Sequence, residues 1–465
     1  MKRQYRTALL LLVLMASGCK KDFLEERQNK GLLVPTTLAD FEALLDNTSL
    51  VMNLDPALGL ASADDYYAVS SALVPLSETV RNVYSWKEGP DLYQGSTPID
   101  WIRPYQQVFY CNVVLEGLEK FPEEQKATGG YRRILGMALF YRSWAFYQLA
   151  QIFAPVYGET SAKKELGLIL RLSADINTFP QRTTLSESYN RIVSDVQEAE
   201  ILLPLSQTVT TKPTRLACRA FLARVYLSMS DYTNALKYAD LCLSENAKLL
   251  DYSLLSTTAT RPMPRSVPSG NDEVIYHSGL VDNYGFPGNG FSNTLIRIDS
   301  SLYRSYHPND LRKTLFFNAL PGDQGYFKGS YTGAASIPLI FSGLANDEIL
   351  LIRAECRART GNAEGAMGDL NTLLLTRWKK GTFVPLAAPG PTEALQAVLR
   401  ERRKELVSRG MRWTDLRRLN LDPTTATTLY RNINGNVYTL GPNDPRYILP
   451  FPDSETGEGI PQNPR

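Results

Sequence analysis

Histidine and cysteine are scarce: the 465 residues hold 2 of the first and 5 of the second. His277 and His307 stand apart, no C-x-x-C pair occurs, and so no metal site is expected. Charge of one sign is lacking too, since 50 Lys and Arg against 48 Asp and Glu leave a net charge of +2. No basic run could neutralise a row of phosphates, which excludes a nucleic-acid partner. No stretch reaches the roughly 20 apolar residues that a spanning helix needs. G-x-S-x-G, the P-loop pattern and HExxH are all missing, and neither histidine stands beside a serine or cysteine in a catalytic context. With no acid/base or nucleophile constellation, neither catalysis nor a cofactor is expected.

What is present begins with a composition of 43% apolar and 21% charged residues, that of a globular protein. Lys2, Arg3 and Arg6 precede an apolar run from Ala8 to Met15, then Ala16, Ser17, Gly18 and Cys19. Residues 1–18 read as an export signal. Its end resembles the lipobox of bacterial lipoproteins, with Ala16 where Leu is usual, which implies that Cys19 carries the lipid anchor. Residues 19–34, of mixed charge, read as a tether, and 35–465 as a single domain. Cys111, Cys218, Cys242 and Cys356 read as small buried hydrophobes, with Cys218 and Cys242 the pair best placed to bridge in an exported chain.

Periodicity of three and four residues predicts helical tracts over about 35–54, 99–153, 186–250 and 346–420. The first helix is expected after Pro35, capped by Thr36 or Thr37. In the tract 99–153, small residues such as Gly136 and Ala138 interleave with aromatics, as two closely packed helices require. Ala223 is followed twelve residues later by Ala235, and Ala354 by Ala366, a spacing that resembles the tetratricopeptide repeat. Tyr226 suits the aromatic position of that repeat, where the later copy has Arg357. Between the tracts, 55–98 and 251–345 are rich in turn residues and scattered aromatics and read as loop-rich insertions, where binding is expected.

Asp64 and Asp65 read as loop-stabilising carboxylates. The run Glu401 to Leu406, taken alone, reads as a solvated helix face. Joined to Arg409-Gly410-Met411-Arg412-Trp413-Thr414-Asp415-Leu416-Arg417-Arg418, it resembles the C-terminal signature of the SusD/RagB family, as do Tyr447 to Pro452 and the ending Gln462-Asn463-Pro464. Here Trp413 is expected to pack inward while Asp415 and the arginines lock the C-terminal segment to the repeats.

The resemblance implies a mainly α fold: tetratricopeptide-like hairpins in a right-handed superhelical scaffold, an irregular loop-rich region and few short strands. It also implies an outer-membrane lipoprotein of Bacteroidota that captures an oligosaccharide, or a peptide, and passes it to a SusC-like TonB-dependent transporter. Trp86, Asp91 and Tyr93 form one expected ligand cluster and Tyr284 with Phe286 another, with Tyr67 of the ASADDYY element beside them. The competing readings are core packing for these aromatics and, for the whole chain, a tetratricopeptide adaptor that binds only protein.

Overall fold

The computed structural model describes residues 35–465 except 269, 283, 287–293 and 334–338. The export signal, the tether and Cys19 lie outside the described residues. Thr37 opens the first helix, α1 (Leu38–Leu45): its hydroxyl accepts from the Asp40 amide, and the Asp40 carboxylate accepts from the Thr37 amide. Phe41 and Leu45 are the buried residues of this helix, which packs on α2 (Ile99–Glu119) and α3 (Gly129–Phe153).

α2 and α3 form the expected pair. From Gly136 to Tyr147 every residue of α3 is buried, because neighbours cover it on all sides. Gly136 permits one of these approaches: a Cβ there would lie 2.9 Å from Leu203 Cγ and 3.0 Å from Leu202 Cβ at the end of α4 (Leu185–Leu202).

The stack continues through α5 (Arg215–Ser228), α6 (Tyr232–Glu245), α7 (Asn346–Arg359), α8 (Ala363–Leu375) and α9 (Pro391–Glu405), and α10 (Arg412–Leu419) follows. α4 packs on α5, α5 on α6, α6 on α7, and α8 and α9 on α7. Ala223, Ala235, Ala354 and Ala366 are wholly inaccessible, so the repeat's small residues sit where facing helices meet. The position held by Tyr226 also repeats, with different chemistry. Tyr226 stacks on Tyr238, twelve residues on, with ring centroids 5.6 Å apart, whereas Arg357 pairs with Asp369, also twelve residues on, at 2.8 Å. An ion pair replaces an aromatic pair at one hairpin geometry.

The insertions hold short helices and most of the strands. Tyr66–Ala68 pairs with Ile296–Ile298, Val274–Tyr276 with Leu344–Ala345, and Phe317–Leu320 with Gln324–Phe327, all antiparallel, while Leu54–Asp55 runs parallel to Gly279–Leu280. The loop-rich insertion 55–98 is itself folded against the helices. It holds helices Leu58–Ser62, Ser70–Leu73 and Glu78–Tyr84, and Leu54–Ala63 is buried throughout.

The solvated-face reading of 401–406 is overturned. Arg402 and Glu405 are 2% exposed and Lys404 9%, because opposite charges from other elements meet them. Arg312 donates to Glu405 at 2.9 Å and to Glu401 at 2.5 Å, Arg377 to Glu405 at 2.7 Å, and Arg402 to Asp415 at 2.9 Å. The locking role expected of the signature is realised: Trp413 packs on Tyr447 at 4.8 Å, and Arg418 grips both carboxylate oxygens of Glu355 on α7 at 2.6 and 2.8 Å. Cys111, Cys218, Cys242 and Cys356 are all buried free thiols, so Cys218 and Cys242 do not bridge. No helix among the described residues is long and apolar enough to cross a membrane.

Candidate ligand-binding site

After helix Leu58–Ser62 the chain delivers Asp64 and Asp65 to two arginines of the C-terminal signature. Arg412 binds both oxygens of Asp64, at 2.6 and 2.9 Å, and Arg403 reaches Asp65 at 3.1 Å and the Asp64 carbonyl at 3.0 Å. Two motifs nearly 340 residues apart are therefore one structure. Burial opposes ionisation of Asp64, but Arg412 and Arg403 outweigh it and hold its carboxyl well below the usual range. Asp65 is shifted upward instead, because burial exceeds what Arg403 returns and the Asp64 charge adds to it.

Strand Tyr66–Ala68 follows, and its alternation turns Tyr66 and Ala68 inward and Tyr67 outward. Opposite stands a ribbon that sequence reasoning missed, Leu429–Ile433 paired with Asn436–Leu440. Its turn, Asn434-Gly435, has φ of 53° and 85°, the left-handed pair that a two-residue hairpin loop demands. Only the Asn-Gly turn was legible, since the residues on either side of it do not alternate between apolar and polar.

The ribbon is fastened by Arg431. Its guanidinium donates to the carbonyls of Ala61, Ser62 and Ala63, at 3.0, 3.1 and 2.6 Å, and to that of Tyr84. It lies 3.8 Å over the Tyr84 ring and 4.3 Å over Trp86. These carbonyls end helices Leu58–Ser62 and Glu78–Tyr84, so one cation satisfies two helix C-termini, where orphan carbonyls and the negative dipole end coincide.

Between these parts lies a cavity of about 450 Å³. Tyr67, Trp86, Tyr430, Asn432, Asp299 and Arg403 are among its walls. Asp299 caps helix Ser300–Ser305, and Tyr430 is 70% exposed at the mouth. Of the six residues expected to bind ligand, this cavity unites Tyr67 and Trp86. Trp86 is only 2% exposed, with its indole N–H bonded to the Ser62 carbonyl at 3.0 Å, so it offers an edge of wall and not a free ring face.

The other four lie elsewhere. Tyr93 is 4% exposed and its hydroxyl donates to the Pro450 carbonyl at 2.9 Å. Phe286 is wholly buried, stacked on Tyr84 at 5.3 Å. For these two the core-packing alternative holds, because rings of this size fill the space between the insertions and the helices. Asp91 is exposed and closes a local turn by accepting from the Gln94 amide and side chain, and the Tyr284 hydroxyl donates to buried Asp100.

Two other groupings could suggest chemistry. The carboxylates of Glu273, Asp347 and Glu405 gather with oxygens within 4.8 Å of one another. Arg377 binds Glu273 at 2.5 Å and Glu405 at 2.7 Å, and Arg409 binds Asp347 at 2.9 Å, so guanidinium groups supply the positive charge that a metal ion would. Ser266 Oγ lies 2.7 Å from His277 Nδ1, a pairing not foreseen from sequence. Ser266 is wholly inaccessible, and burial draws His277 down to about 4.

Comparison with known proteins agrees with this architecture. A family model described as starch-binding, associating with the outer membrane, matches residues 22–227, and the SusD family model matches 344–459. SusD-like protein P2 of Formosa agariphila is 22% identical over 539 residues, covering 99% of either chain. A SusD superfamily protein from Bacteroides thetaiotaomicron superposes with a TM-score of 0.74 at 21% identity, covering 92% of this chain and 100% of that one. A SusD-like carbohydrate binding protein from Bacteroides vulgatus gives 0.66 at 18%, covering 92% and 98%. With its signature binding the first insertion to the repeat stack and two family models matching separate parts of its length, this chain belongs to the SusD/RagB family.

Proposed function

We propose that this protein is a lipid-anchored, surface-exposed component of the outer membrane that captures an oligosaccharide and passes it to a SusC-like TonB-dependent transporter. Family membership supports a nutrient-binding role at the outer membrane. The observation that carries the ligand class is the cavity between Tyr67 and Tyr430, where outward aromatic rings meet Asp299 and Asn432. Rings cover the apolar face of a sugar, and short polar side chains bond its hydroxyls. Both guanidinium groups in the wall are engaged, Arg403 by Asp64 and Asp65 and Arg431 by carbonyls, which suits an uncharged ligand.

A protein-only adaptor draws its support from the burial of Trp86, Tyr93 and Phe286, which leaves no aromatic patch where sequence placed one. The half-buried Tyr67 and the exposed Tyr430, both in the wall of one cavity, outweigh it. Calorimetry with a panel of neutral oligosaccharides and peptides decides between the two. Tyr430→Ala and Tyr67→Ala are expected to weaken a bound oligosaccharide by about 1–2 kcal/mol each, with the fold intact. Undiminished affinity in both variants would remove the cavity from the reading. Trp86→Ala is the poorer probe, since it opens a void in the core.

A further inference from the structure

Asp299, in the wall of the cavity described above, uses only half of its carboxylate within the protein. Oδ1 caps helix Ser300–Ser305, accepting from the Leu302 amide at 2.9 Å and from the Ser301 hydroxyl. Oδ2 accepts from no group among the described residues, and the side chain is 35% exposed. The Asp299 amide donates to the Asp65 carbonyl at 2.8 Å just past the pairing of Tyr66–Ala68 with Ile296–Ile298, so the backbone that carries this carboxylate is fixed against the strand of Tyr67.

The charges nearby leave Asp299 uncompensated. Its nearest cation is Arg403 at 3.7 Å, beyond hydrogen-bond reach, and that guanidinium is shared with Asp64 at 3.2 Å and Asp65 at 3.1 Å. Arg412 is taken by Asp64 at 2.6 Å. Three carboxylates thus stand against two guanidinium groups, and Asp299 is the one of the three to which neither donates a hydrogen bond. Arg431, the other cation of the wall, directs its donors at carbonyls.

We propose that Asp299 is a specificity-determining residue of this cavity: its free oxygen accepts from a hydroxyl of a neutral sugar, and its charge rejects an acidic one, a uronate or a sulfated ring. Asp299 can do so only if the cavity takes an oligosaccharide, the reading on which this role rests. A hydroxyl that donates to a carboxylate makes a charge-assisted bond, whereas a ligand carboxylate or sulfate in the same place has no hydrogen to give. Repulsion between like charges about 4 Å apart then costs on the order of tenfold in affinity, even close to water.

The test is calorimetric titration of the full chain in detergent with neutral gluco-, galacto- and manno-oligosaccharides, each paired with its C6-oxidised uronate form. The wild type is expected to bind at least one neutral member and to bind the uronate partner about tenfold or more weakly, a gap that narrows at about 0.5 M salt. Asp299→Asn and Asp299→Ser keep a capping oxygen, so both are expected to fold, which circular dichroism checks. In both, the gap closes and its salt dependence disappears, and Asp299→Ser, too short to reach the sugar, also weakens the neutral member. Tyr430→Ala weakens both members alike and leaves their ratio unchanged. A uronate bound by the wild type as tightly as its neutral parent, or a gap that persists in both folded variants, would overturn the role of Asp299 and leave the oligosaccharide reading standing. Binding of no member by the wild type would remove the reading and the role together.

Discussion

A carboxylate sealed from water must find donors or stay protonated, and Asp55 does some of each. Its oxygens accept from the Trp144 indole at 2.7 Å and the Ser342 hydroxyl at 2.6 Å, Arg224 adds a smaller favourable charge, and burial outweighs these and lifts it to about 6. Glu355 shows the opposite balance, because Arg418 and Arg359 overcome an equal burial and hold it at about 2. The two groups pull the pH dependence of stability in opposite directions. For Asp55 the folded state binds the proton more tightly than the unfolded chain does. Its contribution is then most favourable below about 4 and is lost as pH rises through about 6. Glu355 contributes above its unfolded range and loses that contribution as pH falls toward 2. Asp55→Asn isolates the first effect. Urea unfolding at pH 4 and pH 7 is expected to show the variant gaining on the wild type, on the order of 2–3 kcal/mol, as pH rises between them. A difference independent of pH would mean that Asp55 is not the group that titrates.

Among elements, what sequence made legible followed from periodicity and from what each residue type can do. The alternation that marked α2 and α3, the Thr37 cap and the alanines at twelve-residue spacing all reflect local rules, and each is realised. The candidate binding residues were harder to find because an aromatic ring in a loop-rich stretch has the same composition whether it fills a core or faces a cavity. Trp86 and Phe286 therefore looked like Tyr67 until the insertions were seen folded against one another. The ribbon 429–440 escaped for another reason: its outward Tyr430 and Val437 and inward Leu429 and Arg431 do not divide into apolar and polar faces. Arg431 makes that ribbon part of the scaffold. Arg431→Met keeps much of the volume but strips four carbonyls at two helix ends of their donor. A loss of about 2–4 kcal/mol in urea unfolding is expected, together with weaker oligosaccharide binding through a displaced Tyr430. Wild-type stability in the variant would show that water replaces the guanidinium without cost.

On the scale of the whole molecule, the C-terminal signature does more than end the stack. Arg403 and Arg412 tie the first insertion to it, Arg418 ties α10 to α7, and Arg377 joins α9 to Glu273 of the middle insertion. Segments that are distant in sequence are thereby held rigid around the cavity, which suits a site that must bind and release without closing over its ligand. No helix among the described residues is long and apolar enough to cross a membrane, and the proposed attachment is not assigned to one. Cys19, beyond those residues, is the group proposed to supply it. A single acyl chain binds a bilayer only marginally, so stable retention requires more than one chain on that residue. Cys19→Ala, expressed in a host that processes lipoproteins, is expected to leave the membrane fraction and to lose incorporation of labelled palmitate, while its oligosaccharide affinity in solution stays that of the wild type. Retention of the variant at the wild-type level after a high-salt wash would place the anchor elsewhere. Release by salt from the wild type would identify the attachment as electrostatic and protein-borne, since acyl chains hold through a hydrophobic term that salt does not weaken.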